Sequence, residues 1–174
     1  MVSNKKRLYL ALYPSEDGAE REDLKYHLAF LVGPKMENQP QVLGMRYHIR
    51  ILPSGLWDLV EEGLPDVRST VPLLVRVLIA KITNEQQLVE ILRDTPILQN
   101  DPAFNYRTWV MDAVARIARD GGAVGTSQLN WEKIEARARR YAADKIVAGR
   151  FGPDKDLTRP KPTWDMLQGK EIVP

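Results

Sequence analysis

YHLAFLVGP, residues Tyr26 to Pro34, is the stretch on which the fold turns. Apart from one histidine it is apolar or aromatic, and Gly33-Pro34 closes it. It therefore reads as a buried strand and not as part of a helix. Working outward, RLYLALY (Arg7 to Tyr13) alternates Leu8, Leu10 and Leu12 against Tyr9, Ala11 and Tyr13, which predicts a strand covered on both faces. A polar loop from Pro14 to Asp23, with Gly18 inside it, joins the two. On the other side, Lys35 to Gly44 is a polar connection to an extended segment, Met45 to Ile51. Pro53-Ser54-Gly55 turns this into Leu56 to Glu61, and Leu73 to Ala80, rich in Val, Leu and Ile, supplies one more buried strand. Short connections between such strands predict an antiparallel meander forming one sheet.

The second half reads as helices. Thr83-Asn84-Glu85-Gln86 has capping-box spacing before the stripe Leu88, Ile91 and Leu92, and Pro96 ends that helix. A second helix begins after Pro102, with Trp109, Val110, Ala113, Val114 and Ile117 at helical spacing and Gly121-Gly122 as its stop. A third runs from an Asn130 cap to near Gly149. The predicted class is α+β: a small antiparallel sheet packed against about three helices, in a single domain over residues 1–151. Residues 152–174, with Pro153, Pro160, Pro162 and Pro174, read as an extended tail whose Trp164, Met166 and Leu167 fold back onto the body.

Composition narrows the function. Among 174 residues, 25 Lys+Arg against 23 Asp+Glu leave a formal charge of +2, which is no footprint of a dedicated nucleic-acid binder. The absence of cysteine excludes a disulfide framework, an iron–sulfur cluster and a cysteine nucleophile. Two histidines are too few for a His-rich metal centre, and no glycine-rich run has the pattern of a phosphate loop, so neither metal nor cofactor is expected. The N-terminal run lacks a signal-peptide pattern, and the longest apolar stretch falls short of the about 20 residues that span a bilayer. The expectation is a cytoplasmic protein without membrane partners. Glu61-Glu62 and Asp66 have the chemistry of general acids, but a charge cluster beside Gly63 and Pro65 reads as a solvated loop. Arg137, Arg139, Arg140 and Arg150 read as the exposed face of the third helix, paired with Glu132, Glu135 and Asp144.

His27, His48 and Tyr106 stand out. His27 shares a strand face with Ala29 and Leu31; His48 shares one with Arg46 and Arg50; Tyr106 precedes the second amphipathic helix. Burial around His27 and the two arginines beside His48 predict that both imidazoles are neutral at pH 7. The order of these segments resembles the permuted papain-like fold of the NlpC/P60 superfamily, above all its lecithin:retinol acyltransferase-like branch. There one strand carries the catalytic His in an HWAIYVG-like context, here YHLAFLVGP. The next strand carries a second His, here RYH at Arg46 to His48. The nucleophilic Cys opens a helix in NCEHFV, for which this chain has NYRTWV at Asn105 to Val110. The resemblance runs from about Leu8 to Ile117. The whole chain is also similar to small fungal proteins with the pattern YHWALLVGPK, RVLIAK and PT-x-D-L-L, which bring no activity with them.

Tyr106 stands where the family has its nucleophile. A phenol does not replace a thiolate in forming a thioester, so hydrolase or acyltransferase chemistry of the family type is excluded. Two functions from different classes follow. One is a non-hydrolytic acid–base enzyme (a cyclase, isomerase or dehydratase) acting on a small natural-product-like substrate. His27 would be its base, Tyr106 its donor and His48 the residue orienting His27, with Tyr9, Phe30, Trp57, Asn105 and Trp109 lining the substrate. The other is a catalytically inert binding or interaction protein on the same fold, with the tail from Gly152 onward as the element of a homodimer.

Overall fold

The stretch Tyr26–Gly33 is a strand, β2, inside a mixed sheet. The computed structural model describes residues 4–15 and 20–174; Met1–Ser3 and the part of the first loop that holds Gly18 lie outside them. β1 (Arg7–Pro14) pairs antiparallel with β2 along its whole length, from Arg7 opposite Gly33 to Pro14 opposite Tyr26. β3 (Gly44–Ile51) and β4 (Trp57–Leu64) extend the sheet on the far side of β2, and β5 (Val75–Ile82) lies on the far side of β1. Three helices follow: α1 (Glu85–Asp94), α2 (Tyr106–Asp120) and α3 (Trp131–Val147), with β6 (Val124–Ser127) between the last two. β7 (Thr163–Asp165) and β8 (Lys170–Val173) complete the order β4-β3-β2-β1-β5-β7-β8, and β6 pairs with β5 beside β7. The class is α+β.

The expected antiparallel meander is thus present but incomplete: β6, β7 and β8 enlarge it, and β7 runs parallel to β5. The reason lies in β5. Left open, its outer edge would present N–H and C=O groups in a buried place, and such an edge must be paired or covered. β7 and β6 divide it, taking Arg76 to Leu78 and Ala80 to Ile82 respectively. The tail expected to lie on the body therefore enters the sheet itself.

Alternation along β1 and β2 sorts the core into two sides. Leu8, Leu10, Leu12, Leu28 and Phe30 face the helices and meet Trp109, Val110 and Ala113 of α2. Tyr9, Ala11, Tyr13, Ala29 and Leu31 face the other way, under loops that contribute Val42, Val67 and Leu73. Each fully buried Leu of the larger side contributes roughly 1.5–3 kcal/mol relative to exposure. On the smaller side the packing is close enough to require glycine at Gly44: a Cβ there would stand 2.6 Å from Val67 Cβ and 2.7 Å from the Val32 carbonyl oxygen.

Capping residues set the helix starts. Asn84, one residue later than the first of the expected box, accepts from the Gln87 N–H. Asn105 Oδ1 accepts from the N–H groups of Arg107 and Thr108, and Thr108 Oγ1 accepts from the Asn105 N–H at 3.0 Å, a reciprocal box. α2 ends at Gly121, whose φ of 71° is left-handed. No helix among the described residues is long and apolar enough to cross a membrane.

Candidate functional site

Asn105 fixes Tyr106 as the first residue of α2, at the end of the β1–β2 hairpin. Arg107 of α2 pairs with Glu135 of α3 at 2.6 Å, and Arg139 of α3 also reaches Glu135. Arg139 further donates to the carbonyls of Glu22 and Asp23, in the short 3-10 turn Glu22–Leu24 between β1 and β2. This network holds the Leu24 carbonyl where the Tyr106 hydroxyl donates to it, at 2.8 Å. Ser15 Oγ lies 3.5 Å from the same hydroxyl. The Tyr106 side chain is buried, and its ring stands edge-on to the His27 ring with centroids 4.8 Å apart.

His27, the second residue of β2, points to the sheet face of Ala29, as its sequence position implies. Its Nε2 lies 2.9 Å from His48 Nδ1 on β3. His48 Nε2 lies 3.0 Å from Glu62 Oε1 on β4. The β3–β4 register puts Arg46 opposite Glu62, and Arg46 Nε donates to Glu62 Oε1 at 2.8 Å. Arg46 Nη1 donates to the Tyr13 hydroxyl at 3.3 Å. A line of polar groups thus runs across four strands, from Tyr13 and His27 through His48 and Arg46 to Glu62.

Electrostatics follow from this burial. Desolvation, helped by His48 and Arg46, pushes the His27 imidazole down to about 4. His48 is also held below the ordinary histidine value by burial, with Arg46 and Arg50 acting in the same direction and Glu62 against it. Both rings are therefore neutral at pH 7, as their surroundings in the sequence imply. Burial tends to raise the Glu62 carboxyl, but Arg46 and His48 outweigh it and hold Glu62 below the usual carboxylate range.

The expected lining residues each have partners of their own in the fold. Phe30 and Trp109 pack on each other, ring centroids 5.9 Å apart, inside the helix-side core. Trp57, at the start of β4, stands against Phe104. Tyr9 shares a face with Tyr13, but it lies beneath Arg76 and donates to Glu37 Oε1 at 3.0 Å. Asn105 is engaged in capping. These side chains make structure: large aromatics on a two-sided sheet find their partners in the layers above and below it.

Glu62 and Tyr13 join the site through Arg46, which donates to both. A charge cluster beside Gly63 and Pro65 reads as a solvated loop, yet Glu62 lies within β4, which runs on to Leu64. Carrying the hairpin register outward from Pro53-Ser54-Gly55 would have placed Glu62 opposite Arg46, two residues from His48. The acidic pair also divides: Glu61 turns to Arg93 of α1 at 2.9 Å, while Glu62 turns to the histidines. Among the described residues, no group of three or more His, Cys, Asp or Glu is placed to hold a metal ion.

Comparison with curated proteins and with solved structures gives no match. A family model covers residues 5–173, nearly the whole chain and every group of this site. The chain belongs to that family, DUF6914, a family of unknown function.

Proposed function

We propose that this chain is a cofactor-independent acid–base enzyme acting on a small organic molecule, with His27 as proton acceptor, His48 as its orienting partner and Tyr106 on the substrate side. The observation that carries the reading is the nitrogen-to-nitrogen contact of the two histidines at 2.9 Å, with the Tyr106 ring edge-on to His27. A neutral imidazole held in one orientation takes a proton from an acidic C–H and gives it back, a contribution of typically ~10²–10⁴-fold. Such a group suits cyclisation, isomerisation or dehydration of a polyketide- or terpenoid-like compound, in a cytoplasmic setting. The same three positions support the likeness to the permuted papain-like fold: a His on each of two neighbouring strands, and Tyr106 at the helix start where the NlpC/P60 superfamily has its Cys. With no cysteine in the chain, no thioester route is open.

One observation favours the second reading, an inert binding or interaction protein on this fold. The Tyr106 hydroxyl already donates to the Leu24 carbonyl at 2.8 Å, so it must leave that bond before it can serve a substrate. On this reading Tyr106 plugs the nucleophile position.

The test is proton exchange. The full chain is incubated in D₂O with a panel of enolisable ketones, esters and polyketide-like lactones, and deuterium at carbon is followed by NMR. The enzyme reading expects exchange on at least one compound, slowed ~10²–10⁴-fold in His27→Gln and in Tyr106→Phe with the fold intact. Exchange no faster than in buffer across the panel, or equal rates in wild type and His27→Gln, overturns it in favour of the inert reading.

A further inference from the structure

Two contacts, His27 to His48 and His48 to Glu62, form a chain in which each link has a donor and an acceptor. Glu62 is the end that fixes them. Held below the usual carboxylate range, it is ionised at neutral pH and can only accept. The hydrogen on its 3.0 Å contact therefore belongs to His48 Nε2. His48 is neutral, so it carries no second ring proton, and its Nδ1 accepts. The hydrogen on the 2.9 Å contact then belongs to His27 Nε2, which leaves a bare lone pair on His27 Nδ1.

We propose that Glu62 is a positioning residue that sets the tautomer of both histidines, so that His27 presents Nδ1 as the proton-accepting atom. Arg46 makes this dependable: it stands opposite Glu62 in the β3–β4 register, donates to Oε1, and is anchored at its far side by the Tyr13 hydroxyl. Without the carboxylate, the two rings could reverse together, with His48 Nδ1 donating to His27 and the proton of His27 moving to Nδ1, where it would block the acceptor. The imidazolium formed when Nδ1 takes a proton keeps its Nε2–H on His48, so the ring holds its orientation through the transfer. The proton stays on His27 Nδ1 and is returned from the same atom, which fits isomerisation or cyclisation. The use of that lone pair rests on the acid–base reading; the tautomer itself does not.

The experiment is long-range ¹H–¹⁵N correlation of the imidazole nitrogens in the full chain at pH 7. Wild type should show the Nε2–H tautomer for both histidines, with His27 Nδ1 in the lone-pair range. In Glu62→Gln, whose amide offers a donor as well as an acceptor, His27 Nδ1 should move toward the protonated range while backbone amide spectra away from β4 stay unchanged. Wild-type His27 carrying its proton on Nδ1 overturns the proposal with no variant needed. So does a Glu62→Gln protein whose tautomers equal those of wild type. A chain with the expected tautomers but no exchange on any compound sinks the enzyme reading and leaves the tautomer assignment standing. The reverse pattern does the opposite.

Discussion

Acidification should destabilise this fold through His27 before its carboxylates respond. The imidazole titrates at about 4 in the folded chain against 6.5 as the ordinary value. Between those limits the unfolded chain binds a proton that the folded chain refuses, so stability falls as pH falls. The contribution is fully present above about pH 6.5 and exhausted once pH drops below about 4. At about 1.36 kcal/mol per unit, the whole window amounts to roughly 3 kcal/mol, and the part between about pH 7 and 5 to roughly 2 kcal/mol. His48, also depressed, acts in the same direction. Glu62, Asp66 and Glu135 are depressed carboxylates, and their losses begin only near and below the carboxylate value of 4.5 or 3.8. The window near pH 5–6.5 is therefore a histidine window. Urea unfolding at a series of pH values, for wild type and His27→Gln, isolates the term. Wild type should lose midpoint steadily through that window, and the variant should lose distinctly less. Parallel pH dependences in the two proteins, or an NMR titration that protonates His27 at or above 6.5, would refute the reasoning.

Two further outcomes concern the smaller side of the sheet. Gly44→Ala should cost about 1–3 kcal/mol in urea unfolding, because the new methyl meets Val67 and the Val32 carbonyl, one of which is backbone; an unchanged midpoint would show that the loop gives way freely. Arg76, fully buried, donates to Glu37 at 3.0 Å and to Thr163 at 3.0 Å. Arg76→Met should cost about 3–5 kcal/mol by leaving Glu37 without its cation, and adding Glu37→Leu should recover most of that, because an apolar replacement for a buried pair is often neutral. A double variant as unstable as the single one would assign the cost to lost packing over Tyr9.

The strands and helices that local pattern governs were legible. YHLAFLVGP, RLYLALY and the Val/Leu/Ile run of β5 carry enough apolar character to be strands in any context that buries them. Asn105, Asn130 and Gly121 mark helix ends through hydrogen bonds and a left-handed φ confined to a few neighbouring residues. β7 and β8 were not legible: three or four residues show no periodicity, and what makes them strands is the open edge of β5.

The site divides along the same line. From sequence alone came the α+β class, the buried strand that holds His27, the face His48 shares with Arg46, and the place of Tyr106 at a helix start. All of these follow from periodicity and capping, which act over a turn or a strand. Only the tertiary structure decided that the two imidazoles meet at 2.9 Å, that the Tyr106 hydroxyl is held by Leu24, and that Glu62 closes the line of polar groups. Those contacts join residues 21, 82 and 14 positions apart, and strand register together with helix docking fixes such distances. A register slip of one residue would turn Glu62 to the opposite face. That is why a carboxylate in an acidic loop and a carboxylate on a histidine look alike until the sheet is built.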